Sequence, residues 1–187
     1  MDEREALIEK MFKAGAVLFG HFVLASGKES SYYINVKRVI THPEALRLIA
    51  RLMAKKAMEM GIEFSRVAGP ELGAVPIATA LSLETNRSLV VVRKKPKGYG
   101  TNSQIEGEVE EGDKILLVED VTTTGGSVLK AAEVLESLGA EIAGIAVVVD
   151  REEGAEERIT SKGYKFLPIL RVSELLAKKP TPSGDRD

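Results

Sequence analysis

From residue 66 onward, short runs of hydrophobic residues alternate with longer segments in which hydrophobic residues recur at helical spacing. The short runs predict buried β-strands, and the periodic segments predict amphipathic helices. The predicted strands cover residues 66–68, 88–92, 114–118, 142–149 and 165–170, and the predicted helices cover 73–83, 127–138, 152–162 and 172–178. Apolar strands that alternate with helices are typical of an α/β protein with a mostly parallel central sheet flanked by helices.

The N-terminal part of the chain follows a different pattern. Residues 3–14 have helical periodicity, and residues 17–36 mix aromatic and β-branched residues around a turn at 26–27, which predicts two short strands. Thr41 and Glu44 have the spacing of a capping box, which predicts the start of a helix that continues to about Met60. We expect one structural domain made of an N-terminal helix and hairpin (1–40), a core (41–178) and a polar tail (179–187).

The composition excludes several kinds of chemistry. The 187 residues include no cysteine, which excludes disulfides, zinc–thiolate sites, iron–sulfur clusters and a thiol nucleophile. The two histidines, His21 and His42, lack the spacing of a catalytic zinc site. No apolar run reaches the roughly 18 residues that predict a membrane span. The acidic start, Met1 to Glu5, does not resemble a signal peptide, so we expect a cytoplasmic protein with no membrane partner.

Charge is distributed unevenly along the chain. The formal net charge of −2 argues against a nucleic-acid partner. However, residues 93–97 form a dense basic run, and residues 106–113 are rich in acids. These local charges are more informative about ligands than the near-neutral total.

The most informative segment joins the predicted strand 114–118 to the predicted helix 127–138. Two acids follow the strand, and after them come three threonines, two glycines and a serine. Hydroxyls and backbone N–H groups at a helix N-terminus suit a phosphate, whereas the acids suit sugar hydroxyls or a metal ion. A sugar phosphate therefore fits both halves, and the simpler alternative is a solvated turn whose hydroxyls cap the helix. Neither a Walker loop nor a GxGxxG motif is present.

This segment resembles the phosphoribosyl pyrophosphate (PRPP) motif of the type I phosphoribosyltransferases. The resemblance implies the fold of that family, with a small N-terminal hood. It implies that Glu119 and Asp120 hold the ribose hydroxyls. It also implies that the following loop holds the 5′-phosphate through Thr122, Thr124, Gly125, Gly126 and Ser127. Val121 belongs to the same PRPP-binding segment, and Thr123 is expected to contact both PRPP and the base.

Other segments resemble the orotate phosphoribosyltransferases in particular, in that family's order, over about residues 12–155. Residues 22–27 and 31–35 resemble the hood over the base, and residues 150–154 resemble the strand end where an arginine meets the base. Residues 93–100 resemble the mobile catalytic loop. Residues 69–76 resemble the pyrophosphate loop, to which Glu71, Leu72 and Gly73 are assigned.

The same resemblance assigns further roles. Lys97, Arg93 and Lys94 are the expected catalytic residues; they also bind PRPP, and Lys97 is the critical cation for the departing pyrophosphate. Tyr99 is a further PRPP-binding residue, and Arg151 is expected to pair with the carboxylate of orotate. The simpler interpretation of Arg151 is a surface ion pair with Glu152 or Glu153, and that of the basic run is a solvated loop.

The resemblance implies an enzyme that transfers the phosphoribosyl group from PRPP to orotate in pyrimidine biosynthesis. It implies Mg²⁺ as a cofactor, bound mainly through PRPP with no direct protein ligand assigned, and a homodimer with shared active sites. The alternatives are a phosphoribosyltransferase for another base and a PRPP-binding regulator without catalysis. This sequence departs from the family at Ala25 and Gly73, where members often have lysine, and at Tyr99, where they usually have histidine.

Overall fold

A computed structural model describes residues 2–24, 27–96 and 103–178. It contains a central six-stranded sheet in the order β5-β4-β3-β6-β7-β8, and a separate two-stranded hairpin formed by β1 and β2. The strands are β1 (Val17–Val23), β2 (Glu29–Ile34), β3 (Arg66–Pro70), β4 (Ser88–Val92), β5 (Ile105–Glu106), β6 (Lys114–Thr122), β7 (Glu141–Asp150) and β8 (Phe166–Arg171). The helices are α1 (Glu3–Lys13), α2 (Lys37–Ile40), α3 (Pro43–Glu59), α4 (Ala74–Thr85), α5 (Gly126–Ser137), α6 (Ala155–Ser161) and α7 (Val172–Ala177).

The sheet confirms the predicted mostly parallel α/β fold. Strands β3, β4, β6, β7 and β8 pair in parallel, and the two-residue edge strand β5 is antiparallel to β4. Strand β6 lies between β3 and β7, and Ile115 to Val118 are buried on both of its faces. Leu116 and Val118 pack into the hydrophobic cluster that includes α3 and α4, whereas Ile115 and Leu117 pack with α5. The carboxyl end of this buried strand is therefore held rigidly at one edge of the sheet.

Several element boundaries differ from the sequence-based predictions. Strand β6 continues past Val118 to Thr122, because β7 provides pairing partners as far as Asp150. Strand β3 continues through Pro70, which pairs with Val92. The structure also contains α2 and β5, which the sequence pattern did not predict. Both are short, and α2 has too few residues for a helical period to be recognised.

The predicted capping box at Thr41 is wrong. His42 is the N-cap of α3, and no side chain caps this helix end. The Thr41 hydroxyl instead donates to the carbonyl of Arg38 at the end of α2, and Glu44 accepts a hydrogen bond from Lys10 of α1. Thr41 and Glu44 therefore bond to α2 and α1, and neither side chain caps α3 as the local motif predicted.

Among the described residues, no helix has both the length and the hydrophobicity needed to cross a membrane.

Candidate active site

The two acids predicted to hold ribose lie side by side in the last part of β6. Glu119 and Asp120 are only 8% and 9% exposed. Both carboxylate oxygens of Asp120 are occupied, since Oδ1 accepts from the backbone N–H of Val121 at 2.8 Å and Oδ2 accepts from Nζ of Lys37 at 3.0 Å. Oε1 of Glu119 accepts from the backbone N–H of Asp120 at 3.1 Å. The pair is thus an ordered acidic site at the carboxyl edge of the sheet, where ligands bind in open α/β folds.

The pair does not carry two full negative charges near neutral pH. Burial, and then the adjacent charge of Asp120, raise the pKa of Glu119 to about 8. Lys37 is held in its charged form, because its hydrogen bond to Asp120 raises the pKa of the ammonium group. Glu119 is therefore protonated in a large fraction of molecules at pH 7, and Asp120 is neutralised by Lys37.

Glu119→Gln should remove a pH dependence of stability in the ligand-free protein. A carboxyl whose pKa is raised in the folded state stabilises the fold at low pH, and this contribution is lost as pH rises from about 4.5 to about 8. Each unit of pKa difference corresponds to about 1.4 kcal/mol. Urea unfolding of both proteins at pH 5 and pH 8 should show the wild type losing more free energy of unfolding than the variant. Equal losses would contradict the raised pKa.

The segment after the acids forms the predicted phosphate-type loop. The hydroxyl of Thr122 is buried and donates to Oδ1 of Asp150 at 3.0 Å, which fixes the loop to the end of β7. Gly125 adopts a positive φ of 76°, which favours glycine, and places Gly126 at the start of α5. The exposed side chains are Thr123, Thr124 and Ser127. The loop thus combines exposed hydroxyls with the N-terminus of a twelve-residue helix, an arrangement that suits a phosphate.

Arg151 lies next to this loop and against the hairpin. Its backbone N–H donates to the carbonyl of Thr122 at 2.9 Å. Its guanidinium carbon lies 5.2 Å from the ring centroid of Tyr32 in β2, a cation–π contact. Its Nη2 atom pairs with Oε1 of Glu153 at 3.1 Å, while its buried Nε has no hydrogen-bond partner among the described residues. The guanidinium therefore pairs with Glu153, as the simpler interpretation expected, but it is buried against the hairpin and does not lie on the surface.

The predicted pyrophosphate loop and the start of the basic loop meet directly. Oε1 of Glu71 accepts from the backbone N–H of Lys94 at 2.5 Å, and the Glu71–Leu72 peptide bond is cis. Arg93 pairs with Oε1 of Glu106 at 3.2 Å. Glu71, Arg93 and Lys94 line a cavity of about 900 Å³ together with Gly126 and Ser127, so these three segments share one cleft. Glu119 and Asp120 are not among the described residues that line it.

Gly73, in the predicted pyrophosphate loop, lies directly against Asp120 of the acid pair. A Cβ atom at this position would lie 2.1 Å from Oδ2 of Asp120 and 3.2 Å from Cε of Lys37. Glycine is therefore required here by close approach and not by backbone conformation, since its φ is −65°.

The structure thus brings most of the predicted residues to one edge of the sheet. Lys97, Tyr99 and Ala25 lie outside the described residues. The sequence analysis missed Lys37 and Tyr32, which contact Asp120 and Arg151 respectively. Tyr32 lies inside the segment that resembles the hood, which was the available signal. No pattern in the sequence pointed to Lys37, because its partner Asp120 is 83 positions away in the chain.

Comparison with known proteins agrees with this geometry. Residues 35–167 match the model of the phosphoribosyl transferase domain family. The orotate phosphoribosyltransferase of Thermococcus gammatolerans is 72% identical over 98% of this chain and 97% of its own length. The crystal structure of orotate phosphoribosyltransferase from Aeropyrum pernix has a TM-score of 0.82 and 36% identity, covering 92% of this chain and 97% of that one.

A further crystal structure, that of Mycobacterium tuberculosis orotate phosphoribosyltransferase in complex with PRPP, has a TM-score of 0.78 and 34% identity. The match covers 93% of this chain and 99% of that one. These likenesses extend over more than nine tenths of the chain. The chain belongs to the orotate phosphoribosyltransferases, within the phosphoribosyl transferase domain family.

Proposed function

We propose that the protein uses the residues at the carboxyl edge of the sheet to transfer the phosphoribosyl group of PRPP to orotate, releasing pyrophosphate and forming orotidine 5′-phosphate. The observation that carries this proposal is the sequence of contacts along one edge: the acid pair of β6, the loop that opens α5, and Arg151 held between that loop and Tyr32. In this order, the edge can hold a ribose, a 5′-phosphate and an anionic base.

In the proposed complex, Asp120 and Glu119 accept hydrogen bonds from the ribose hydroxyls. Thr122 to Ser127 surround the 5′-phosphate, to which the exposed hydroxyls and the N–H groups at the start of α5 can donate. Thr123 and Arg151 contact orotate. Glu71, Leu72 and Gly73 form the pyrophosphate loop, beside Arg93 and Lys94.

The reaction needs no side-chain nucleophile. As pyrophosphate leaves, positive charge develops at the anomeric carbon and negative charge on the leaving group. Rate then comes from holding the base near that carbon and from cations placed around the pyrophosphate. Arg93, Lys94 and Lys97 are the proposed cations, and Tyr99 is a proposed hydrogen-bond donor in the same loop.

Magnesium fits this site as a partner of the substrate. Carboxylate oxygens at the cleft are ligands that Mg²⁺ prefers. However, no group of three or more acidic or histidine side chains among the described residues could enclose a metal ion. Mg²⁺ usually keeps several waters and binds through substrate phosphates, so we propose that it is held mainly by the pyrophosphate group, whose charge it neutralises.

We also propose a homodimer, and from the family resemblance we propose that its active sites are shared. The dimer is supported by an exposed, mostly apolar groove between α3 and α4, which includes Leu46, Val75 and Leu83, of which Leu83 is 80% exposed. Light scattering that gives twice the mass of one chain would agree with the proposal, and a monomer would contradict it.

The cytoplasmic setting stays a prediction.

The activity itself can be tested with purified protein, Mg²⁺, PRPP and a panel of bases, by following the loss of orotate absorbance. We expect turnover of orotate only. Turnover of a purine without orotate would contradict the proposed specificity. Tight PRPP binding without turnover of any base would instead indicate a regulator.

Arg151→Lys should raise the KM for orotate by about tenfold or more, because lysine keeps the charge but loses bidentate pairing with a carboxylate. The KM for PRPP should change little. Arg66→Lys is a matched control, since Arg66 is also mostly buried and ion-paired, with Asp113, but lies at the opposite end of the sheet. An unchanged orotate KM in Arg151→Lys would remove Arg151 from the base site.

A further inference from the structure

Lys37, Asp120 and Gly73 meet at a point that none of the assigned roles explains. The ammonium of Lys37 reaches Oδ2 of Asp120 at 3.0 Å, and that same oxygen occupies the space where Gly73 would carry a side chain. Cε of Lys37 lies 3.2 Å from the same position. The carboxylate of Asp120 in β6 and the side chain of Lys37 in α2 therefore occupy the space that a side chain at position 73 would need.

In the contact between Lys37 and Asp120, the carboxylate is buried and the lysine side chain is largely exposed. Lys37 begins α2, whose neighbours Val36 and Val39 are fully buried in the core. The Lys37 side chain is 59% exposed, whereas that of Asp120 is only 12% exposed. The buried neighbours therefore hold the backbone of Lys37 in place. The ammonium group itself is exposed to solvent, so it can attract an anionic ligand that approaches Asp120.

The electrostatics of the proposed reaction require a cation here. PRPP carries a pyrophosphate group that must approach Gly73, directly beside the carboxylate of Asp120. An unpaired carboxylate at this distance would repel that group. Among the described residues, Lys37 is the cation that hydrogen-bonds either acid of the pair.

We propose that Lys37 is a positioning residue for the phosphoribosyl donor: it holds Asp120 against Gly73 and supplies the positive charge that offsets this carboxylate when the pyrophosphate group binds beside it. This inference rests on the proposed function, because it takes PRPP as the ligand of the acid pair. It explains how this chain can function with glycine at position 73, since the positive charge comes from α2.

Three variants test the role of Lys37. Lys37→Met keeps the length of the side chain without its charge, and Lys37→Arg keeps the charge. Lys10→Met is the matched control, since Lys10 forms a similar, partly exposed ion pair with Glu44 on α1 and α3. The KM for PRPP, the KM for orotate, kcat and the melting temperature are measured for each, and PRPP binding with Mg²⁺ is measured by calorimetry without orotate.

We expect Lys37→Met to raise both the KM and the Kd for PRPP by about tenfold or more, with the orotate KM changing by less than about twofold. Lys37→Arg should restore most of the PRPP affinity, and Lys10→Met should leave it unchanged. The inference is overturned if Lys37→Met binds PRPP like the wild type, if its effect is confined to the melting temperature, or if Lys37→Arg is equally impaired.

Failure of the proposed function gives a different result. If the wild-type protein does not turn over orotate, the activity assignment fails. The calorimetric comparison of Lys37→Met with the wild type still decides whether Lys37 supports PRPP binding.

Discussion

Lys97→Ala is expected to lower kcat by about 10²- to 10³-fold, because removing one group that stabilises charge in the transition state costs about that much. Lys97 is the proposed cation for the departing pyrophosphate, and negative charge on this group grows as its bond to the anomeric carbon of PRPP breaks. The KM values should change less than kcat, since the interaction strengthens toward the transition state. Steady-state kinetics by orotate absorbance measures both.

Lys95→Ala is the matched control for this loop. Lys95 lies in the same basic run and is exposed, but it has no assigned role. If both variants keep nearly normal turnover, the basic run is a solvated loop and Lys97 is not catalytic. If both lose turnover equally, the loop contributes general charge and no single lysine is critical.

Gly73→Ala is expected to destabilise the protein by about 1–3 kcal/mol, the usual cost of overpacking a close contact, and to weaken PRPP binding. The new methyl group would lie 2.1 Å from Oδ2 of Asp120, so the carboxylate must leave its position beside Lys37. The backbone adds no strain, because φ at Gly73 is −65°. Urea unfolding measures the stability, and calorimetry with PRPP and Mg²⁺ measures the binding.

A double-mutant cycle with Asp120→Ala isolates this contact. Without the carboxylate, the Gly73→Ala substitution should cost little, or even stabilise the fold by a few tenths of a kcal/mol, because alanine restricts the unfolded chain. A coupling of about 1 kcal/mol or more is expected between the two positions. Additive effects would show that Asp120 does not set the requirement for glycine.

The central strands were the most predictable part of the fold. The run Ile115–Val118 is apolar and bounded by charge, and in the structure these residues are fully buried. The pattern could not predict that the strand continues through Glu119 and Asp120 to Thr122. That extension depends on pairing with β7, and polar residues in a strand have no hydrophobic signal of their own.

The candidate site also has features that the sequence could predict and features that it could not. The acids, threonines and glycines of residues 119–127 are contiguous, so their chemistry could be inferred from the sequence. The role of Lys37 could not be inferred, and neither could the cation–π contact of Arg151 with Tyr32, since each contact joins segments from different parts of the chain. The prediction of a capping box at Thr41 was wrong for the same reason: Thr41 and Glu44 bond to α2 and α1, and the local sequence does not show these contacts.

The order of residues along the chain was enough to predict the α/β class, the succession of the principal strands and helices, and the loop in which two acids precede the threonines and glycines. These properties follow from periodicity and from residues adjacent in the chain. The folded chain was needed to show which cation neutralises Asp120, why glycine is required at position 73, and which aromatic ring faces Arg151. Those contacts depend on packing between distant segments, and side-chain distances of about 3 Å are set by that packing and not by local preference.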